Sequence, residues 1–166
     1  LRVSEDNRPP KEKDGTDSVP ADLAVLWSSD PKGELKIETM DLDGETNLKT
    51  KKAFNPVHEL CKARAADSDT GPEDVLSQLE GVIECGFPDV GWGKVEGSVQ
   101  RSTPTAAAAS ASSKLALPQY SGELHALDAS NLLLRGVNLK TKGVIGVAVY
   151  VGPDTKIMKN GGVARF

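Results

Sequence analysis

Short apolar runs between turn residues indicate a mostly β chain. Residues 23–27 form an apolar run that is too short for a typical helix and is typical of a buried strand. Residues 35–39 alternate apolar and polar side chains, as a half-buried strand does, and residues 144–151 are rich in β-branched side chains. With shorter runs at 82–85 and 120–124, the spacing predicts about six to nine short strands.

A few short helices are predicted among these strands. Residues 57–66 carry scattered apolar side chains that suit one short helix, and Pro72 is favourable at the start of a helical turn over 73–79. Residues 152–160 are predicted to turn into a last short helix, which the side chain of Asp154 can cap.

Two segments of the chain are predicted to be flexible loops. Residues 4–19 are polar and contain Pro and Lys, and residues 89–117 are rich in Gly, Ser and Ala. Within the second segment, residues 102–113 are almost entirely Ser, Thr, Ala and Pro, which leaves no apolar face to pack. We therefore predict one domain over 1–166, with loops at about 4–19 and 89–117.

Length and charge exclude several classes of function. The 166 residues are 38% hydrophobic, which supplies one core. The net charge of −4 argues against a nucleic-acid partner. The longest apolar run is far shorter than the roughly 20 residues that span a bilayer, so we expect no direct membrane insertion. Because the chain begins at a strand-like Leu1 without Met, we expect it to be a piece of a longer protein.

The chain contains too few cysteines and histidines for a disulfide framework or a metal cage. His58 and Cys61 could share one helical face, but the other ligands of a structural zinc site are missing. We therefore predict no metal site and no bound cofactor in this domain. Cys61 and Cys85 are predicted to be reduced, structural residues.

The acidic stretch that follows the predicted strand at residues 35–39 is the best candidate for a catalytic site. Asp43 and Gly44 tolerate a tight reversal with positive φ, which leaves Glu45 at a loop tip. No His, Ser or Cys nucleophile lies beside Glu45, so its chemistry would be to orient or deprotonate a water. These residues alone favour a plain solvated turn. Three lysines at 49, 51 and 52 either offset the local negative charge or form a solvated face.

The string Asp-Gly-Glu-Thr-Asn-Leu-Lys at 43–49 resembles the actuator-domain loop of the type IV P-type ATPases, the phospholipid flippases. Residues 20–29 and 131–160 resemble the same domain in the same order, although Gly143 stands where the family commonly has an aromatic residue. The resemblance implies a distorted jelly roll with a few short helices. It also implies that Glu45 positions the water that hydrolyses an aspartyl phosphate on another domain. The loop residues Asp43, Gly44 and Thr46 complete the implied catalytic site.

The resemblance further implies the setting of this domain. The parent pump uses ATP and Mg²⁺, its phosphorylation and nucleotide-binding domains are the partners, an accessory β-subunit is a further candidate partner, and the domain lies on the cytoplasmic face of a membrane. The chain contains no Asp-Lys-Thr-Gly-Thr sequence and no phosphate-cradling Gly-rich loop, so we expect it to be inactive in isolation. Arg135 and Lys156 either meet the partner domain or are merely solvated.

Two alternatives remain open from the residues. The first is a non-catalytic β domain that binds another protein, which the Ser/Ala-rich insertion favours. The second is a flippase-like module of a larger signalling protein, against which intact Asp43, Gly44 and Glu45 argue.

Overall fold

Strands outnumber helices in the part of the chain that the structure describes. A computed structural model describes residues 2–4, 18–67, 71–79, 82–87, 97–100 and 125–160, and these contain ten strands and four short α-helices. The predicted mostly β fold class with a few short helices is therefore confirmed. The strands are β1 (Arg2–Ser4), β2 (Asp22–Ser28), β3 (Glu34–Glu38), β4 (Lys49–Lys52), β5 (Val82–Cys85), β6 (Gly97–Gln100), β7 (His125–Leu127), β8 (Leu132–Leu133), β9 (Asn138–Leu139) and β10 (Gly143–Tyr150). The helices are α1 (Met40–Asp43), α2 (Asn55–Asp67), α3 (Pro72–Ser77) and α4 (Lys156–Asn160).

The strands form three antiparallel sheets, with the orders β1-β10-β2-β8, β4-β3-β9 and β5-β6-β7. In the first sheet the register of β10 against β2 shifts between Ile145 and Gly146. A Cβ on Gly146 would lie 2.7 Å from the carbonyl oxygen of Ala24. The absence of a side chain at Gly146 therefore permits the close approach of these two strands.

Strand β2 is buried on both faces because it separates two apolar clusters. Leu23 and Val25 belong to one cluster, whereas Ala24 and Leu26 belong to the other. Alternate side chains of a strand point to opposite faces, so each face of β2 serves one cluster. This explains why residues 23–27 read as a continuous apolar run instead of alternating.

The two clusters join different parts of the fold. The first packs side chains of the four-stranded sheet against those of the β4-β3-β9 sheet, including Leu35 and Ile37. The second packs the other face of β2 against α2 and α3, including Val57 and Val75. The β4-β3-β9 sheet, which carries the acidic loop, is therefore anchored by one core and lies across β2 from the helices.

Most predicted elements are present, but β4, β6 and β7 were not predicted, and the ten strands of the described residues exceed the predicted six to nine. Helices α2 and α3 lie where short helices were predicted, and α3 begins with Pro72. Strand β6 lies inside the segment 89–117, which was predicted to be a loop. Its sequence, Gly-Ser-Val-Gln, has only one apolar residue, and it is a strand because it pairs with β5 and β7. Most of 4–19, the rest of 89–117 and the predicted strand at 120–124 lie outside the described residues. In the described parts of the chain, none of the helices reaches the length and hydrophobicity that a bilayer crossing requires.

Candidate functional site

The acidic loop begins with a helical turn that the sequence did not predict. Strand β3 ends at Glu38, and α1 follows before the chain reverses into β4. Gly44 ends α1 with φ 75°, and its N–H donates to the carbonyl of Met40 at 2.9 Å. The expectation of positive φ at Gly44 is confirmed, but the reversal is a left-handed helix C-cap and not a tight two-residue turn.

Asp43 is the acceptor that orders this loop. Its carboxylate accepts hydrogen bonds from the Thr39 hydroxyl at 2.9 Å, the Glu45 backbone N–H at 3.0 Å and the Lys49 ammonium. The hydrogen bond from Lys49, helped by the one from Glu45, lowers the pKa of Asp43 to about 2. Asp43 is therefore an anion at neutral pH, and its bonds to three segments hold the loop in one shape.

Glu45 lies at the exposed tip of the loop, where the sequence placed it. Its side chain is 58% exposed and makes an ion pair with Lys49 at 2.9 Å. An exposed ion pair of this kind contributes little to stability, because water screens both charges, so an approaching partner can open it. Gly44 and Thr46 beside it are also exposed. The Glu45 carboxylate is thus more exposed to an approaching molecule than that of Asp43, whose side chain is 38% exposed.

A second contact fixes the other end of α1. The side-chain amide of Asn138, on β9, donates to the Asp41 carboxylate at 3.1 Å. Asn138 is buried, and its position next to Glu38 in the β3–β9 pairing brings it beneath the helix. Sequence reasoning missed Asn138, because only the pairing of β9 with β3 places it near Asp41.

The three lysines after the loop have different surroundings. Lys49 bridges the carboxylates of Asp43 and Glu45, so it does offset local negative charge. Lys51 is half-buried, its ammonium donates to the carbonyl of Ala129 at 2.7 Å, and burial lowers its pKa. Lys52 is exposed. A cleft of about 480 Å³ opens beneath the loop and is lined by Ile37, Thr39, Leu42, Asp43, Lys49, Lys51, Leu134 and Val137.

Lys156 is not an exposed basic residue, so both alternatives given for it, a contact to a partner domain and a solvated surface position, are wrong. It is 1% exposed, and its ammonium lies 5.8 Å from the centre of the Tyr150 ring. Arg135 is partly buried, and its guanidinium donates to the carbonyl of Gly152 at 3.4 Å. The burial of Lys156 follows from its place at the start of α4, where the helix meets the four-stranded sheet.

The carboxylate at the start of α4 belongs to Asp22, not to Asp154 as predicted. The backbone N–H of Lys156 donates to Asp22 at 2.6 Å, while Asp154 pairs with the ammonium of Lys159 at 3.1 Å. Burial raises the pKa of Asp22, and backbone hydrogen bonds from Arg135 and Lys156 oppose that rise. Sequence reasoning missed Asp22 because its partners are more than a hundred positions away in the chain.

His58 and the two cysteines are buried or partly buried side chains. His58 and Cys61 are both buried on α2, and Cys85 is partly buried. Both cysteines are free thiols, as expected. Burial raises the pKa of Cys61 to about 11 and also raises that of Cys85, which disfavours the reactive thiolate.

Sequence comparison finds that the chain is similar to phospholipid-transporting ATPases. No protein-family model matches it. It is 36% identical over 152 residues to human phospholipid-transporting ATPase IC (Homo sapiens) and 33% identical over 151 residues to the mouse protein of that name (Mus musculus). It is 33% identical over 149 residues to human phospholipid-transporting ATPase VD. These matches cover 90%, 90% and 89% of the chain, but only 10%, 10% and 8% of the relatives.

Proposed function

We propose that this chain, which belongs to the phospholipid-transporting ATPases and spans about a tenth of the relatives' length, is the actuator domain of an ATP-driven phospholipid flippase. In this function Glu45 positions the water that hydrolyses an aspartyl phosphate on another domain of the same protein, and dephosphorylation is coupled to lipid translocation. The observation that carries the proposal is the exposed Glu45 carboxylate at the tip of an ordered loop on a β scaffold.

The contacts of Lys49 suit a carboxylate that has to leave its resting partner. Lys49 binds both Asp43 and Glu45. When Glu45 turns toward a docked domain, Lys49 stays bound to Asp43, and Asp43 keeps its hydrogen bonds to Thr39 and to the backbone of residue 45. The loop therefore retains its shape while its tip changes partner.

The acidic tip requires a cationic partner before it can act. Asp41, Asp43 and Glu45 would repel a phosphoryl group unless that group arrives with Mg²⁺ and basic side chains of another domain. We therefore assign ATP and Mg²⁺ to the phosphorylation and nucleotide-binding domains of the parent protein. The docked Glu45 accepts a hydrogen bond from the water and aligns it for in-line attack, and such alignment contributes several powers of ten in rate.

The setting of the domain follows from this function. It works at the cytoplasmic face of the membrane, moves as a unit against its partner domains, and does not hydrolyse ATP alone. An accessory β-subunit of the pump is a further candidate partner. The exposed Met40 and Leu48, at 48% and 57%, flank the loop and provide apolar surface for the docked domain.

The test is Glu45→Gln in the full-length protein, with phosphoenzyme decay measured after the labelled ATP is chased. Gln keeps the size of the side chain but lacks the charge that orients the water, so we expect decay to slow by at least about a hundredfold. Glu59→Gln is the matched control, because Glu59 is also exposed and pairs with Lys62 at 2.9 Å on α2. Decay of the Glu45→Gln phosphoenzyme at the wild-type rate would refute the proposal.

The same experiment separates the alternative functions. The exposed Met40 and Leu48 would also suit a non-catalytic β domain that binds another protein, or a flippase-like module of a signalling protein. In either case Glu45→Gln leaves phosphoenzyme decay unchanged or no phosphoenzyme forms, whereas removal of Met40 and Leu48 weakens the protein contact.

A further inference from the structure

Asp22 joins two distant segments of the chain inside the protein. Its side chain is 0% exposed, at the first position of β2. One carboxylate oxygen accepts the backbone N–H of Arg135 at 2.8 Å, and the other accepts the backbone N–H of Lys156 at 2.6 Å. A buried carboxylate is tolerated only when hydrogen bonds replace its lost water, so these two bonds fix both segments relative to β2.

The two segments held by Asp22 support the helix of the acidic loop. Gly136 follows Arg135 in a turn closed by the Val137 N–H and the Leu134 carbonyl, at 3.3 Å. A Cβ on Gly136 would lie 3.4 Å from a methyl group of Leu42, in α1, and 3.7 Å from one of Ile157, in α4. Leu42 and Ile157 therefore both lie against this turn.

The same turn forms one side of the cleft beneath the loop. Leu134 and Val137 line the cleft together with Leu42 and Asp43. The turn therefore supports α1 on the side of Leu42, while Asn138 holds the side of Asp41. Asp22 holds the turn together with the backbone hydrogen bonds that join it to Val19. Glu45 comes directly after Gly44, the residue that caps the end of α1.

We propose that Asp22 is a positioning residue for Glu45, which acts by holding the 134–137 turn and the start of α4 under the helix that precedes the loop tip. This inference rests on the proposed function. Loss of one bond lets the turn and Ile157 shift, which removes support from Leu42 and lets α1 tilt. Misplacement of a catalytic group by about 1 Å costs roughly a hundredfold in rate.

The test is Asp22→Asn in the full-length protein, with phosphoenzyme decay as the readout. Asn has the same shape, but its NH₂ group faces one of the two backbone N–H groups, so one hydrogen bond is lost. We expect decay to slow by about tenfold or more, short of the effect of Glu45→Gln. Val75→Ala is the matched control, because Val75 is buried in the cluster on the other face of β2 and its loss destabilises the domain away from the loop. We expect normal decay in this control.

A double variant distinguishes positioning from a general loss of stability. If Asp22 acts through Glu45, adding Asp22→Asn to Glu45→Gln slows decay no further. The inference is overturned if Asp22→Asn slows decay by the same factor in the Glu45→Gln background as it does alone. It is also overturned if Asp22→Asn and Val75→Ala have the same decay rate. Slow decay in Glu45→Gln with normal decay in Asp22→Asn overturns the inference alone, whereas normal decay in Glu45→Gln overturns the proposed function.

A second variant covers the case in which Asp22→Asn does not fold. Gly136→Ala disturbs the same support from the other side, because Gly136 has φ 87°, a backbone conformation that a residue with a Cβ adopts only under strain, so the turn beside Leu42 must shift. The inference is supported if Gly136→Ala alone slows phosphoenzyme decay and if adding Gly136→Ala to Glu45→Gln slows decay no further. Wild-type decay in a folded Gly136→Ala protein overturns it.

Discussion

At the scale of single residues, the loop depends on Asp43 for its shape and on Glu45 for its proposed chemistry. Asp43 contacts Thr39, Lys49 and the backbone of Glu45, whereas the Glu45 side chain extends into solvent and contacts Lys49. A motif of adjacent acids therefore divides into one side chain that holds the loop and one that is available to a partner. The role of Glu45 stays a prediction until the decay experiment is done.

The pKa of Asp43 provides a direct test of the loop contacts. Its pKa in the folded chain is about 2, below the ordinary 3.8, chiefly because of the hydrogen bond from Lys49. The ionised Asp43 therefore stabilises the fold above pH 3.8, and this contribution is lost as the pH falls through about 2. We expect Lys49→Met to raise the pKa toward 3.8, as measured by an NMR titration of the side-chain carboxyl carbon.

Lys62→Met is the control for this titration, since Lys62 pairs with Glu59 on α2 and not with the loop. It should leave the midpoint of Asp43 unchanged. An unchanged Asp43 midpoint in Lys49→Met would mean that Lys49 does not hold the carboxylate in solution.

At the scale of elements, the helical turn α1 separates this loop from an ordinary hairpin. Strands β3 and β4 pair as a hairpin does, from Glu34 opposite Lys52 to Ile37 opposite Lys49. Between them, α1 places Leu42 over the cleft and Asp43 beside Lys49. The inserted turn therefore adds an apolar packing contact through Leu42, which a two-residue reversal would lack.

Gly44→Ala measures what the left-handed cap contributes. A Cβ on Gly44 would have no neighbour within 4 Å among the described residues, so the cost comes from φ 75° alone. We expect a loss of about 1 kcal/mol in the free energy of unfolding, measured by urea denaturation. Gly71→Ala is matched to it, because Gly71 precedes α3 with φ −69° and has room for a methyl group. Equal stability losses in the two variants would show that the conformation of Gly44 is not what matters.

At the scale of the whole molecule, β2 ties the two apolar clusters into one cooperative unit. Leu23 is fully buried in the first cluster, between the sheet that contains β2 and the sheet that carries the loop. We expect Leu23→Ala to lower the free energy of unfolding by about 2–5 kcal/mol, because it leaves a cavity that rigid strands cannot close. Thermal and urea unfolding of the purified chain would measure this loss.

Leu48→Ala provides the contrast, since more than half of the Leu48 side chain is exposed. Its cost should stay within about 0.5 kcal/mol. If Leu23→Ala were equally mild, the division of the core by β2 would be wrong.

Local patterns were sufficient for much of the fold and for the position of the loop tip. Local sequence predicted β2, β3 and β10 from the buried run at 23–27, the alternation at 35–39 and the β-branched run at 144–151. These patterns are visible because the periodicity of a strand involves only neighbouring residues. The Asp-Gly pair likewise predicted positive φ at Gly44 and an exposed Glu45.

Features that depend on distant partners arise only when the chain folds. Strand β6 exists through its pairing with β5 and β7, and Lys156 is buried by the packing of α4. Asp22 finds its partners 113 and 134 positions along the chain. Local sequence thus predicted the three longest strands, β2, β3 and β10, and the exposed position of the Glu45 carboxylate. The fold decided what supports that carboxylate, because hydrogen bonds between distant segments leave no trace in local periodicity.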